Sequence, residues 1–163
     1  MTATPSTASG FRAGAWAALG ARFFLGAVFL VMGAHKALHP PDFLGALHQY
    51  HLFGNHVLLN LTASVLPWME ILCGLFLLAG IAVRGCAVVT LVMLTVFSLA
   101  VLMRALALQQ SAGLLFCAVR FDCGCGSGEV FVCRKLLENV GLLVLAVTVA
   151  AGPADPWRLR HRL

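Results

Sequence analysis

Apolar residues run along the chain in long blocks, and polar residues gather at the ends of the blocks and in the links between them. A helix that crosses a bilayer needs about 20 mostly apolar residues. Four blocks qualify, at about residues 14–37, 57–83, 85–108 and 133–152. Helix is the expected conformation throughout, because lipid cannot satisfy an open backbone. The pattern therefore predicts an all-α membrane protein, a single domain at 11–153 built as a four-transmembrane-helix bundle.

The links differ. "HKALHPPDFLGALHQYHLFGN" is too long for a turn, and a short interfacial helix should begin after Pro40-Pro41. The second and third spans are joined by almost nothing, around Arg84 and Gly85. A Cys-rich loop at 109–132 precedes the fourth span. Residues 1–10 are small and polar and read as a disordered tail, and 154–163 as a basic tail. The apolar stretch at 13–34, broken only by Arg22, exceeds the 7–15 residues of a signal-peptide core and reads as a helix that stays.

Composition agrees. The 163 residues are 61% hydrophobic and 10% charged, against about 25% charged in a soluble domain. The net charge of +5 comes without a basic run or aromatic interleaving, so nucleic acid is not an expected partner. With the N-terminus inside, Arg12, Arg22, Arg84, Arg158, Arg160 and Arg162 lie inside. Lys36, Arg104, Arg120, Arg134 and Lys135 then lie outside, a tally of six against five. A dense thiol loop is also more at home in an oxidising compartment. Both favour cytoplasmic termini and an extracytoplasmic cysteine loop.

Four of the six cysteines stand at 117, 123, 125 and 133. Cys123-Gly124-Cys125 can close a disulfide only in a small ring, which departs from the comfortable geometry and should be easily reduced. Gly124, Gly126 and Gly128 relax the backbone around it. Arg120, Arg134 and Lys135 are close in sequence and would favour a thiolate. Exchange with a partner thiol fits this pattern, with Cys123, Cys125 and Cys133 as the reactive set. Cys133 would act as a resolving thiol or pair with Cys117. A structural disulfide and a soft-metal site holding copper or zinc on Cys123, Cys125 and Cys133 are competing readings. The C-x5-C-x-C-x7-C spacing is not a usual zinc pattern. Cys73 and Cys86 lie in the spans and read as small buried residues.

Glu70 sits in the middle of "SVLPWMEILCGLFLLAG", where a carboxyl needs a partner or a role. Candidate partners are Lys36, Arg22, Arg104 and Asn139. Pro67, one turn earlier, frees a carbonyl in the same helix. Structural pairing and proton handling are both open for Glu70. Glu138 can pair with Arg134 one turn before it. The histidines at 35, 39, 48, 51 and 56 read as interfacial side chains without ligand duty, because Pro40 interrupts the first pair and no H-E-x-x-H setting exists.

"ARFFLGAVFLVMGAHKALHPPDF" resembles the opening helix of DoxX-type membrane proteins, and "LPWMEILCGLFLLAG" their second helix. "CGCG" followed by basic residues and Asn139 resembles the methylamine-utilisation MauE branch. Together the likeness covers about residues 20–145. It implies a four-helix bundle in a bacterial inner membrane. It also implies work beside a thioredoxin-fold partner or a larger membrane redox complex, supplying or removing electrons during extracytoplasmic protein maturation. By motif, Cys123 and Cys125 take the place of the family's paired cysteines, and Glu70, Lys36 and Arg22 that of its polar positions. The chain departs from the MauE pattern in Gly126-Ser127-Gly128 and in the added Cys133. A quinone beside the bundle is a possible electron carrier, although no quinone motif is visible. A non-catalytic subunit with a disulfide-stapled loop is the main alternative function.

Overall fold

The computed structural model describes residues 6–50, 55–113, 115–122 and 128–152. Five helices and one small hairpin make up this part: α1 (Ser6–Leu38), α2 (Pro40–Gln49), α3 (His56–Ala79), α4 (Val83–Ala112), β1 (Arg120–Asp122), β2 (Glu129–Phe131) and α5 (Val132–Ala151). A 3-10 turn, Phe116–Ala118, precedes β1.

Three helices are long and apolar enough to cross a membrane, at Gly14–Leu38, His56–Ala79 and Val83–Ser111. Where the fourth span is expected the structure has a helix, α5, which is not among these three; Arg134, Lys135 and Glu138 crowd its first two turns. The surface also fits lipid. Trp16, Val31, Val57, Trp68, Val96 and Val144 are exposed, whereas Arg22, Lys36, Glu70, Lys135 and Asn139 are buried. In water that distribution would leave a large apolar patch uncovered and place charges in the core at a cost.

Helix limits follow local chemistry. Pro40 opens α2 at a position where its missing N–H costs nothing. The Asn55 side chain caps α3 by accepting from Val57 N at 2.8 Å. Gly80 ends α3 in the left-handed region, φ 77°, with Ile81 N donating back to the Phe76 carbonyl at 2.9 Å. The second span therefore stops at Ala79 rather than at 83, and Arg84 and Gly85, expected as the link, lie in the first turn of α4. α1 likewise begins at Ser6, inside the stretch expected as a tail. Residues 1–5 and the expected basic tail at 154–163 lie outside the described residues.

α1 packs mainly on α3, and α4 mainly on α5. Glycine permits the first contact. A Cβ on Gly74 would stand 2.7 Å from Leu30 N and 2.8 Å from the Gly26 carbonyl oxygen. One on Gly33 would stand 2.8 Å from the Pro67 carbonyl oxygen. Small residues that bring backbones together are how helices associate when lipid offers no hydrophobic drive. Two apolar clusters fill the interior. One joins Leu25, Phe29, Leu77, Cys86, Leu94 and Ala146, and the other joins Tyr50, Val101, Ala105, Phe121 and Val132. Along α4 the second cluster follows the first, and Phe97 and Ser98 fall between them.

The Cys-rich connection is not a plain loop. β1 and β2 pair antiparallel, with Arg120 opposite Phe131, Phe121 opposite Val130 and Asp122 opposite Glu129. The Arg120 guanidinium lies over the Phe131 ring, 4.0 Å from its centroid. Buried Phe121 meets Tyr50 edge-on at 6.0 Å. A Cys117–Cys133 disulfide joins the 3-10 turn to the first turn of α5.

Candidate functional site

The site occupies one end of the bundle. The last turns of α1, all of α2 and the base of the hairpin meet there around a cavity of about 430 Å³. His35, Lys36, His39, Asp42, Gln49, Asp122 and Gly128 supply its polar lining. Asp122 and Gly128, which line this cavity, are the described residues on either side of 123–127 in the sequence. Cys123 and Cys125 themselves lie outside the described residues. Cys133, the third member of the expected reactive set, is bonded to Cys117. Of the two roles open to it in the sequence, pairing with Cys117 is the one the structure contains.

His35 and His39 stack with ring centroids 4.6 Å apart, and His39 Nδ1 lies 3.1 Å from the His35 carbonyl oxygen. Their i,i+4 spacing puts them on the face of α1 that also carries Lys36 to the cavity. The spacing was visible in the sequence, but the cavity beside it was not.

Lys36 also faces inward. Its Nζ donates to Glu70 Oε1, with both side chains buried. The same ammonium lies 5.2 Å from the Phe43 ring centroid and 5.1 Å from that of Phe97. These aromatic faces and the carboxylate replace the water that the cation has lost. Glu70 Oε2 has no hydrogen-bond partner among the described residues, and Glu70 lines a small cavity of about 30 Å³ with Lys36, Met93, Phe97 and Asn139. That volume accommodates one water molecule. Asn139 Nδ2 donates to Ser98 Oγ at 3.1 Å, and Ser98 Oγ donates to the Leu94 carbonyl at 2.7 Å.

Of the candidate partners for Glu70, the structure brings Lys36 into contact and Asn139 to the same cavity. Arg22 is buried on α1, 14 residues before Lys36, or roughly 21 Å along the helix. Arg104 is on α4 with its Nε buried and without a hydrogen bond among the described residues. Lys135 is buried, and its Nζ lies 3.8 Å from Glu138 Oε2. Arg134 Nε donates to Glu138 Oε1 at 2.9 Å, the expected surface pair. Among the described residues, no group of three or more His, Cys, Asp or Glu is arranged to hold a metal ion.

These features define a helical membrane protein with a buried ion pair beneath a polar cavity, which the base of a short β-hairpin helps to line. A family model for the methylamine utilisation protein MauE matches residues 14–152, so the chain belongs to the MauE family. No curated protein and no solved structure matches it.

Proposed function

We propose that the protein is a membrane thiol–disulfide carrier that supplies or removes electrons for proteins maturing outside the cytoplasm. The observation that carries this reading is the position of Asp122 and Gly128 on the rim of the His35/His39 cavity. In the sequence, Asp122 and Gly128 flank the segment that carries Cys123 and Cys125, and His35 and His39 line the same cavity as these two residues. The hairpin base is held by strand pairing, the Arg120–Phe131 contact and the Cys117–Cys133 disulfide. These contacts hold the two ends of the Cys123–Cys125 segment, Asp122 and Gly128, on one hairpin base.

Exchange then runs as ordinary thiol–disulfide chemistry. A thiolate of the partner attacks one sulfur of the Cys123–Cys125 disulfide, a mixed disulfide forms, and the partner's second thiol releases it. Two electrons and two protons reach the carrier. A partner of the thioredoxin fold suits this sequence. In the full reading, α5 completes a four-span bundle in a bacterial inner membrane. The termini and the α3–α4 turn face the cytoplasm, and the hairpin faces out. The likeness of α1 and α3 to DoxX-type helices belongs to the same reading. A lipid-soluble quinone would serve as the second redox partner. A groove of about 560 Å³ between α1 and α5, lined by Phe24, Val28, Met32 and Leu142 with Lys135 among its polar residues, suits such a molecule.

The Cys117–Cys133 disulfide also favours a second reading, an accessory subunit whose hairpin is merely stapled. Copper or zinc on Cys123, Cys125 and Cys133 is weaker, because the Cys133 sulfur is already bonded. Trapping separates these readings. Cys123→Ser and Cys125→Ser variants should each lose exchange, and the one that keeps the attacked cysteine should accumulate a mixed disulfide with a thioredoxin-fold protein. Full activity of both variants, or stoichiometric metal on the purified wild type, would overturn the carrier reading.

A further inference from the structure

The Cys117–Cys133 bond lies at the surface rather than in the core. Cys117 is exposed in its 3-10 turn, and Cys133 is half-buried in the first turn of α5. The apolar span of α4 ends at Ser111, and Cys117 follows six residues beyond it. A water-soluble protein on that side of the membrane can therefore reach the bond. We propose that this disulfide is itself an exchange site for a protein dithiol, attacked at Cys117 and releasing Cys133. The proposal does not rest on the carrier reading of Cys123 and Cys125.

Access and leaving-group quality choose between the two sulfurs. Cys117 is the more open of the two. Cys133 is the better leaving group, because it stands at the N-terminus of α5, a helix of 20 residues. Free backbone N–H groups and the helix dipole favour a thiolate there. The nearby charges agree. Arg134 and Lys135 follow Cys133 directly, and Glu138, the acid that meets both, stands more than a turn further along. Arg120 lies at the base of the hairpin opposite Phe131, while the acids Asp122 and Glu129 face each other at its far end. Leu115 is 82% exposed and Phe131 41%, and each stands two residues before one of the cysteines. They give an incoming protein an apolar surface beside the bond.

In the exchange, a thiolate of the partner bonds to Cys117 Sγ as the Cys117–Cys133 bond breaks. Cys133 leaves as a thiolate and takes up one proton. The partner's second thiol then loses its proton, attacks the mixed disulfide and releases Cys117, which takes up the other proton. The partner is oxidised to a disulfide, and the two cysteines gain two electrons and two protons. Opening the bond leaves other contacts in place. Val132 N donates to the Val119 carbonyl at 3.2 Å, β1 and β2 stay paired, and Val119, Phe121 and Val132 are buried in one cluster. The two thiols therefore remain neighbours, and an oxidised partner can close them again by the reverse steps. That is the behaviour of a cycling pair rather than of a staple.

The test uses the full-length protein in detergent, both as the wild type and with Cys123→Ser and Cys125→Ser combined, which separates this site from the carrier reading. The probe is a reduced thioredoxin whose resolving cysteine is serine, so that the first mixed disulfide is trapped. Samples are quenched with acid, alkylated with N-ethylmaleimide, digested and mapped by mass spectrometry. The proposal expects thioredoxin on Cys117 and maleimide on Cys133 in both proteins. Thioredoxin on Cys133 with maleimide on Cys117, or an intact Cys117–Cys133 bond under excess probe, would overturn it. Single-thiol variants test the leaving group. In the double-serine background, Cys117→Ser leaves Cys133 and Cys133→Ser leaves Cys117. The iodoacetamide alkylation rate of Cys133 should reach half its maximum at a lower pH than that of Cys117. Equal midpoints, or the reverse order, would overturn the assignment of Cys133 as the released thiolate.

Discussion

Replacing Glu70 by glutamine or by leucine leaves Lys36 in two different situations. Glutamine keeps an acceptor opposite the buried ammonium, whereas leucine leaves the cation facing hydrocarbon and two aromatic rings. Removing one partner of a buried ion pair costs about 3–5 kcal/mol. Glu70→Leu should therefore lower the detergent-solubilised unfolding midpoint far more than Glu70→Gln, and Lys36→Met combined with Glu70→Leu should recover much of the loss. Equal midpoints for the two single variants would show that the pair carries no such weight. This pairing was legible in the sequence, because a lone acid in an apolar block demands a partner and few cations are available. Which cation answers was not legible. Arg22, Arg104 and Lys36 are equal candidates until the helices are packed.

Elements formed where lipid left little choice. Backbone satisfaction and apolar length located the long helices to within a few residues, except that the αL cap at Gly80 stops α3 early and the first helix begins at Ser6. The hairpin was not legible. "RFD" and "EVF" are three residues each, too short for alternation to be read against a helix-rich background. Three substitutions probe these elements. Gly74→Leu drives a side chain into the α1 backbone and should destabilise the bundle by about 1–3 kcal/mol or more. Gly141→Leu meets open space and should be neutral by the same thermal assay. Cys117→Ser opens a disulfide of sequence separation 16, worth about 3 kcal/mol on loop-entropy grounds. It should make the hairpin more susceptible to proteolysis while the helical circular dichroism signal is retained. Unchanged cleavage would mean that strand pairing and the Tyr50–Phe121 packing hold the hairpin unaided.

On the scale of the whole molecule, α2 and the hairpin share one end, and the α3–α4 turn lies at the other. Charge alone divides six against five and orients the chain weakly. The thiols give a sharper means of orientation. If the carrier reading holds, Cys123 and Cys125 cycle at the extracytoplasmic surface, and only there. The most direct measurement is differential alkylation in intact cells with a membrane-impermeant maleimide, before and after an impermeant reductant. The account predicts no labelling of Cys123 and Cys125 before reduction and labelling of both after it, with Cys73 and Cys86 untouched. Labelling of Cys123 and Cys125 only from the cytoplasmic side, or resistance of the pair to reduction from outside, would contradict it.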